Sequence, residues 1–476
     1  MIKIMKRTKI VATIGPSSSS KEVLKEMILA GLNVCRLNFS HGAYEDHAEV
    51  IENIRSLNDE LGLNVAILAD LQGPKIRTGE MQKSGVHLEV NETVLVQTDP
   101  VEGTEKVFSI NYSRLPEDVK KGELILVDDG KLMLEVTKTD RKKQITCKVI
   151  QGGMLSSNKG VNFPNTRISM PSLTEKDEKD LSFAIEQDVD WIGLSFVRSA
   201  RDMIDLKHKI SSAGAKAKVI AKIEKPEALE CIDDIINESD GIMVARGDLG
   251  VEIPFQNVPL TQKMLIDKGI KYAKPVIVAT QMMESMITQM TPTRAEVNDV
   301  ANAVLDGADA VMLSGETSVG KYPVEVISTM SRIVCEMESH DGIYYKEEPP
   351  EKNKERFISD SICYNSCRLA QRVDVDAIIT MSFSGYTAYK IASQRPKANI
   401  FVFTSNRKIL TQLNLVWGVR AFYYNKQIST DHTIADIKYI MKSEKHLKQG
   451  DLIINIASIP LEELGSSNML KLSHVE

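Results

Sequence analysis

The sequence predicts an α/β protein: a (β/α)8 TIM barrel that carries an inserted small antiparallel β-barrel domain and is followed by a C-terminal open α/β domain. Eight short apolar runs alternate in series with amphipathic helical segments, which favours a closed parallel barrel. Closely spaced short strands break the series once, which indicates an insertion. A charged, proline-containing stretch then precedes a second α/β pattern. The alternative for the main domain is an open, doubly wound sheet.

The composition narrows the class of protein before any motif is considered. With 476 residues the chain predicts about two to four domains. A net charge of −6 gives no reason to expect nucleic acid or an anionic membrane as a partner, so any phosphate site must be local. Six cysteines in a chain this long indicate no disulfide framework, and no apolar run suits a secretory signal or a membrane span. We therefore expect a cytoplasmic protein.

The barrel domain is predicted to comprise residues 1–72 and 171–342. Gly31, Gly62 and Gly307 each follow a helical segment, as glycines that end helices do. The eight barrel strands are predicted at Lys9–Ile14, Asn33–Leu37, Val65–Asp70, Trp191–Phe196, Val219–Ile223, Gly241–Ala245, Pro275–Thr280 and Ala310–Leu313.

Residues 73–170 are predicted to form the inserted β domain, since they contain alternating strands with tight turns and no long helical segment. An insertion after the third barrel strand lies at the active-site face of such a barrel, where it can act as a lid. Residues 343–476 are predicted to form a separate α/β domain, because charge and tandem proline in 341–356 mark a boundary.

Polar residues follow the predicted barrel strands, at the end where barrels of this type hold their active sites. Period-2 alternation puts Lys222 and Glu224 on one side of their strand, and Asp248 follows the next strand. An ammonium and two carboxylates suit a divalent metal that carries a phosphorylated substrate. The alternative is a solvated rim with an ion pair. The strand-end polar residues are Arg36, Asn38, Ser40, His41, Asp70, Ser195, Lys222, Glu224, Asp248, Thr280, Ser314 and Glu316.

Eight motifs give the chain a family likeness. In order they are TKIVATIGPSS (8–18), CRLNFSHG (35–42), ADLQGPKIRTG (69–79), NKGVNFP (158–164), AKIEKPEAL (221–229), ARGDLGVEIP (245–254), ATQMMESM (279–286) and DGADAVMLSGETSVGKYP (306–323). Together they resemble the pyruvate kinase family across nearly the whole chain. The resemblance implies phosphoryl transfer from phosphoenolpyruvate to ADP, giving pyruvate and ATP, with Mg2+ or alternatively Mn2+ as the cofactor.

The resemblance also implies roles for particular residues. Glu224 and Asp248 would hold the metal, and Lys222 would stabilise the phosphoryl group in transfer. Arg36 would clamp phosphate, the Gly247 backbone would meet the substrate carboxylate with Asp248 nearby, and Thr280 would lie where the enolpyruvate is protonated. Without the resemblance to this family, Thr280 would be interpreted as a hydroxyl at a strand end that forms a hydrogen bond with the backbone. The nucleotide phosphates would contact Arg77, His41 and Lys159.

One departure from the family bears on the monovalent cation. Its potassium-dependent members have Thr-Lys-Gly-Pro-Glu after the aspartate, whereas this chain has Leu71-Gln-Gly-Pro-Lys75. Asn38, Ser40 and Asp70 remain as oxygen ligands for K+. We therefore predict that the Lys75 ammonium replaces K+, so that activity depends little on it.

The C-terminal domain is where members of the resembled family bind effectors, and family members form homotetramers. Its hydroxyl-rich loop, with Thr380, Ser382, Ser384 and Thr387, precedes a helix and suits a phosphate group of a sugar phosphate or nucleotide. The alternative is an ordinary capped turn.

Two other functions compete with the kinase. A Mg2+-dependent lyase or aldolase that forms a pyruvate enolate would share the strand-end carboxylates, but it would not need Arg77 and Lys159 on an inserted domain. A non-catalytic sensor of phosphorylated ligands on the same scaffold would be favoured by loss of any of four residues, all of which are present: Lys222, Glu224, Asp248 and Thr280.

Overall fold

The computed structural model describes residues 6–352, 354–426, 429–459 and 467–476. The first strands and helices alternate, and Gly31 and Gly62 end the two helices with φ of 122° and 63°, values that glycine adopts readily. These elements are β1 (Lys9–Thr13), α1 (Lys21–Ala30), β2 (Val34–Asn38), α2 (Tyr44–Leu61) and β3 (Ala66–Asp70).

The inserted domain, called the lid below, follows β3. Its elements are β4 (Val86–Leu88), β5 (Thr93–Gln97), β6 (Val107–Ser109), α3 (Leu115–Asp118), β7 (Leu124–Val127), β8 (Leu132–Thr139), β9 (Gln144–Gln151), β10 (Gly153–Leu155) and β11 (Val161–Asn162). A six-stranded sheet in the order β11-β7-β8-β9-β5-β6 curves into a half-barrel, and β10 pairs with β4. The sheet is antiparallel except between β5 and β6, which run parallel.

The chain then returns to the barrel. The elements are α4 (Glu175–Glu186), β12 (Trp191–Leu194), α5 (Ala200–Ser212), β13 (Lys218–Ile223), α6 (Pro226–Glu230), α7 (Ile232–Glu238), β14 (Gly241–Ala245), α8 (Arg246–Glu252), α9 (Val258–Tyr272), β15 (Val276–Ala279), α10 (Arg294–Asp306), β16 (Ala310–Leu313), α11 (Gly315–Ser318) and α12 (Pro323–Met337). All eight predicted barrel strands are present, and they close in the order β1-β2-β3-β12-β13-β14-β15-β16 with parallel pairing throughout. The predicted barrel is confirmed.

Two apolar cores hold the barrel together. The larger lies between the strands and the surrounding helices, and the smaller fills the barrel interior around Trp191. The sequence of residues 225–237 has the amphipathic pattern of one helix, but the structure has two helices there, α6 and α7, which meet at Cys231 with a non-helical φ of −125°. All six cysteines are free.

The C-terminal domain is an open five-stranded sheet with helices around it, as predicted. The strand order is β19-β18-β17-β20-β21, and only β21 is antiparallel to its neighbour. The elements are α13 (Phe357–Val373), β17 (Ala377–Met381), α14 (Tyr386–Ser393), β18 (Asn399–Thr404), α15 (Arg407–Gln412), β19 (Val419–Tyr423), α16 (Thr430–Ser443), β20 (Leu452–Ala457) and β21 (Met469–His474).

The C-terminal domain docks on the end of the barrel where the strands begin. Arg395, buried at 2% exposure, reaches the Asp309 carboxylate at 2.9 Å, and the backbone N–H of Trp417 donates to the same carboxylate at 3.1 Å. Leu415 belongs to the apolar cluster inside the barrel and closes that end. The lid and the C-terminal domain therefore lie at opposite ends of the barrel.

None of the helices in the described residues has the length and apolarity needed to span a bilayer.

Candidate active site

Parallel pairing brings four of the predicted residues together at the barrel mouth. Asn38 of β2 pairs with Asp70 of β3, and Asp70 pairs with Gly193 of β12, so the strands end side by side. Four charged side chains, each at most 9% exposed, form what we call the mouth cluster: Arg36, Asp70, Lys222 and Glu224.

Ion pairs link the mouth cluster into a continuous chain. Arg36 Nε donates to Asp70 Oδ2 at 2.6 Å. Lys222 Nζ lies 3.2 Å from Asp70 Oδ1 and 3.0 Å from Glu224 Oε1. The contact of Lys222 with Glu224 shows that the two residues share one side of β13, as the alternation predicts. Two cations thus alternate with two carboxylates in a nearly buried row.

The cluster sets the protonation of its members. Burial alone would lower the pKa of Lys222, but the carboxylates of Asp70 and Glu224 outweigh it and raise that pKa above its ordinary value. Burial would likewise raise the pKa of Asp70, but Lys222 and Arg36 lower it instead. Burial raises the pKa of Glu224. The positive charge of Lys222 offsets this increase in part, and the negative charge of Asp248 adds to it. Lys222 therefore stays positively charged, and of the two carboxylates Glu224 is the one that takes up a proton more readily.

The strand-end loop after β12 supports this cluster from one side. Lys222 Nζ donates to Ser195 Oγ at 2.6 Å, and Ser195 Oγ donates to the carbonyl of Leu71 at 2.7 Å. The backbone N–H of Phe196 donates to Glu224 Oε2 at 2.7 Å. Phe196 has a φ of 54°, an uncommon backbone conformation for an aromatic residue, and such strain concentrates at functional sites.

Thr280 lies just past β15 rather than inside it, with a φ of 72°. Its hydroxyl accepts a hydrogen bond from the backbone N–H of Gly247 at 2.8 Å and donates to the carbonyl of Ala279 at 2.6 Å. Arg246 donates to the Thr280 carbonyl at 2.7 Å and makes two bonds to the Asp299 carboxylate. This bidentate pair fixes the left-handed turn at Thr280.

Glu224 and Asp248 are the residues that could hold a divalent metal. Across the described residues, no group of three or more His, Cys, Asp or Glu side chains converges. Two carboxylates without a complete protein cage fit Mg2+, which takes one or two carboxylates and fills the rest of its shell with water and substrate phosphate. Asp70 Oδ1 is also buried nearby and has an ion pair with Lys222 but no hydrogen-bond donor among the described residues.

A cleft that is open to solvent lies between the barrel and the lid. Asp248, Phe196 and Lys225 line it from the barrel, and Asp129 and residues 160–163 line it from the lid. Such a cleft can hold two ligand groups next to each other, one bound by the barrel and the other by the lid.

The predicted nucleotide-contacting residues are divided between the two domains. On the lid, Arg77 donates to the carbonyl of Asn158 at 3.0 Å, and Lys159 pairs with Asp128 at 3.0 Å. On the barrel, His41 is exposed, and its carbonyl accepts a hydrogen bond from the ring of His47 at 3.0 Å. In the described part of the chain no side-chain hydrogen bond or ion pair joins these three residues to one another, although Arg77 lies opposite Gly160, the neighbour of Lys159, in an antiparallel bridge.

The predicted monovalent-cation residues lie at the ends of β2 and β3. Asn38 Oδ1 accepts from the backbone N–H of Ser40 at 3.2 Å, and Asp70 belongs to the mouth cluster. Lys75 is exposed and lines the cleft together with Asp248. Within the described residues its ammonium makes no contact with Asn38, Ser40 or Asp70.

The hydroxyl-rich loop of the C-terminal domain is built as a capped turn before α14. The backbone N–H of Gly385 donates to Ser382 Oγ at 3.0 Å, and Gly385 has a φ of 84°. Thr387 Oγ1 lies 3.1 Å from Ser467 Oγ, Ser384 is exposed, and Thr380 Oγ1 is buried without a partner in the described residues. Residues 460–466, within the loop Pro460–Asn468, lie outside the described residues.

Sequence reasoning missed several residues that position the site. Thr13 accepts a hydrogen bond from Arg36 Nη1 at 2.8 Å, and Arg246 and Asp299 hold the Thr280 turn. Thr13 and Arg246 fall within motifs quoted above, so their positions at strand ends were a usable signal. Asp299 lies in the middle of α10, and nothing in its surroundings in the sequence points to the site.

Comparisons with known proteins cover nearly the whole chain. The family model described as "Pyruvate kinase, barrel domain" matches residues 5–327, and "Pyruvate kinase, alpha/beta domain" matches residues 360–473. A pyruvate kinase of Mycobacterium tuberculosis is 41% identical over 471 residues, which cover 99% of this chain and 98% of that protein. A pyruvate kinase of Geobacillus stearothermophilus is 43% identical over 474 residues, covering 98% of this chain and 80% of that protein.

Proposed function

The chain belongs to the pyruvate kinase family, and on that premise we propose how its barrel mouth transfers the phosphoryl group of phosphoenolpyruvate to ADP, giving pyruvate and ATP. It is a phosphotransferase of glycolysis. The observation that carries the mechanism is the mouth cluster, in which two buried cations lie beside the carboxylates. Phosphoryl transfer requires little covalent chemistry from a protein and depends mainly on positioning and on positive charge around the transferred oxygens.

Mg2+ is the metal that family membership implies. We assign it to Glu224 and Asp248, with Mn2+ as the alternative metal. When bound, it would neutralise phosphate charge and act as a Lewis acid on the phosphoryl group.

Arg36 and Lys222 provide the protein's own positive charge. The carboxylates beside Lys222 keep its ammonium protonated in spite of burial, so it can stay within reach of the transferred phosphoryl group throughout the reaction. Arg36 is held at both ends of its guanidinium, by Asp70 and by Thr13, and so offers its remaining N–H groups in one fixed direction. We assign Arg36 to the phosphate clamp and Lys222 to charge stabilisation in transfer.

Thr280 and Gly247 act on the enolate that the transfer leaves behind. The Gly247 N–H that now donates to Thr280 Oγ1 is the group that we assign to the substrate carboxylate, with Asp248 adjacent. Substrate binding would exchange that hydrogen bond and free the Thr280 hydroxyl to relay a proton through water to the enolate carbon. The Arg246–Asp299 pair keeps the turn in place during this exchange.

The nucleotide would lie on the lid side of the cleft. Arg77 and Lys159 supply positive charge from the lid, and His41 approaches from the barrel. Because Lys159 already pairs with Asp128 at 3.0 Å, ADP phosphates must compete with that carboxylate, or share the ammonium with it. Closure of the lid would then bring the two substrates together.

Two finer features concern cations and regulation. We propose that Asn38, Ser40 and Asp70 form the monovalent-cation site and that the Lys75 ammonium takes the place of K+. This requires Lys75 to move from its exposed position in the cleft. We further propose a sugar phosphate or nucleotide as effector at the loop of Thr380, Ser382, Ser384 and Thr387, where the turn before α14 presents backbone N–H groups.

The remaining proposals concern organisation. We divide the chain into a barrel domain of residues 1–72 and 171–342, a lid of residues 73–170 and a C-terminal domain of residues 343–476. We propose a cytoplasmic homotetramer that binds neither nucleic acid nor a membrane.

The test is pyruvate formation from phosphoenolpyruvate, ADP and Mg2+, measured with and without added K+. Turnover in both conditions supports the reaction and the role of Lys75. Turnover only with K+ keeps the reaction and rejects the role of Lys75. If ADP remains unphosphorylated in every condition, including with sugar phosphates and nucleotides added as effectors, the assigned reaction is wrong.

A further inference from the structure

We propose that Glu252 is a positioning residue that holds the lid against the barrel and ties the position of the lid to the metal-binding side of the site. Glu252 is the last residue of α8, the helix whose first turn carries Gly247 and Asp248. Its side chain is fully buried, although glutamate is among the residue types least often found inside a protein. This inference deepens the proposed function and rests on it.

Two donors from different domains meet at one oxygen of this carboxylate. Lys225 Nζ donates to Glu252 Oε1 at 2.5 Å, and Asn162 Nδ2 donates to the same atom at 2.8 Å. Lys225 directly follows Glu224 on the barrel, whereas Asn162 is the end of β11 on the lid. We call Asn162, Lys225 and Glu252 the lid latch.

The buried carboxylate of Glu252 needs the hydrogen bonds of the lid latch to stabilise its charge. Glu252 Oε2 is buried and has no hydrogen-bond partner in the described residues, so the charge of this carboxylate is stabilised through the two donors on Oε1. Withdrawal of Asn162 would leave a buried carboxylate with Lys225 alone, which is unfavourable in a site of low polarity. A hydrogen bond to a charged group of this kind shifts a two-state equilibrium by roughly ten- to a hundredfold.

The lid latch also connects to the mouth cluster. The Lys225 ammonium lies 6.0 Å from the centre of the Phe196 ring, and the backbone N–H of Phe196 donates to Glu224. Asn162, Phe196, Lys225 and Asp248 all line the cleft between barrel and lid. The position of the lid is thus transmitted to both proposed metal ligands, through α8 to Asp248 and through Lys225 to Glu224.

A separate anchor holds the hinge of the lid, so the latch can open without detaching the domain. Arg198 of the barrel donates to the carbonyls of Ile168 and Met170 and to Ser172 Oγ, where the lid rejoins the barrel. Loss of the latch should therefore change the lid position while the hinge stays in place.

The test is Asn162→Asp in the full-length chain, which puts a second carboxylate beside Glu252 with little change in shape. Thr166→Val is the matched control. It also removes a hydrogen bond from a lid residue to a glutamate, but that glutamate, Glu123, lies on the lid itself and not on the barrel. The rescue variant combines Asn162→Asp with Glu252→Gln. It exchanges donor and acceptor and leaves Lys225 a carboxylate to pair with.

Hydrogen exchange of residues 73–170 and steady-state kinetics with Mg2+ give the two readouts. We expect Asn162→Asp to speed lid exchange and to raise the KM for ADP by about tenfold or more, with a smaller change in the KM for phosphoenolpyruvate, whose assigned ligands lie on the barrel. We expect the rescue variant to restore most of both losses. A purely structural contact would not separate the two KM values or respond to the exchange of partners.

Two results would overturn the lid latch. One is an Asn162→Asp variant that matches Thr166→Val in both exchange and kinetics. The other is a double variant that remains as impaired as Asn162→Asp alone. A wild-type chain that forms no ATP would refute the proposed function instead, and the exchange comparison would still decide whether the latch holds the lid.

Discussion

Replacing Lys222 by methionine is the most direct test of the mouth cluster. The substitution keeps most of the length and apolar surface of the side chain and removes only the ammonium. That ammonium lies 3.0 Å from Glu224 and 3.2 Å from Asp70, and it donates to Ser195 at 2.6 Å. Turnover should fall because the charge that stabilises the phosphoryl group in transfer is gone.

The size of the effect follows from the partners that remain. Removing one preorganised donor from a transition state lowers kcat by about 10²–10³, and a full positive charge in a nearly buried site should reach the upper end of that range. Stability should fall by about 3 kcal/mol, at the lower end of the loss expected for a broken buried ion pair. Asp70 keeps Arg36, and Glu224 can take up a proton because burial raises its pKa.

The assay is the rate of pyruvate formation with saturating substrates, accompanied by urea unfolding. Lys218→Met is the matched control, because Lys218 begins the same strand at the opposite end of the barrel. It should leave kcat near the wild-type value. A folded Lys222→Met variant with kcat within tenfold of wild type would refute the assigned role, as would a control variant that loses as much activity.

Three further predictions concern the turn after β15, the cation site and the interface between barrel and C-terminal domain. Thr280→Ala should lower pyruvate formation by about 10²-fold through loss of the proton relay, whereas Thr280→Ser, which keeps the hydroxyl, should retain most of it. Equal losses in the two variants, measured by steady-state kinetics, would exclude the hydroxyl as the relay. Lys75→Glu should make turnover dependent on K+, which a K+ titration of wild type and variant measures; an unchanged response would contradict the replacement. Burial, reinforced by the charge of Arg420, lowers the pKa of Lys9 to about 8 from 10.5. Below pH 8 the cost of burying the charged Lys9 ammonium lowers the stability in full. Between pH 8 and 10.5 the unfolded chain binds more protons than the folded one, so the free energy of unfolding rises with pH, by up to about 3 kcal/mol in total. Lys9→Met should abolish this rise in urea unfolding measured across the same pH range, and a variant with the wild-type slope would assign the rise to other groups.

Most of the fold could be predicted because most of its strands and helices have a recognisable pattern in the local sequence. Each barrel strand is a short apolar run bounded by polar or glycine residues, so its limits could be placed within about two residues. Strands β6, β10 and β11 of the lid could not be predicted individually, because each has at most three residues and no periodicity can be read from so few. Cys231, which divides α6 from α7, carries no such marker as Pro or Gly.

The sequence by itself determined the order of strands and helices, the chemistry available at each strand end, and the pairing of Lys222 with Glu224 on one face of β13. These follow from the chemical type of each residue and from the period of the backbone, which act over a few positions. Only the tertiary structure decided which strand ends meet. The contact of Asn162 with Glu252 joins residues 90 positions apart, and that of Arg395 with Asp309 joins residues 86 apart. Such contacts depend on closure of the barrel and docking of whole domains, which no local pattern encodes.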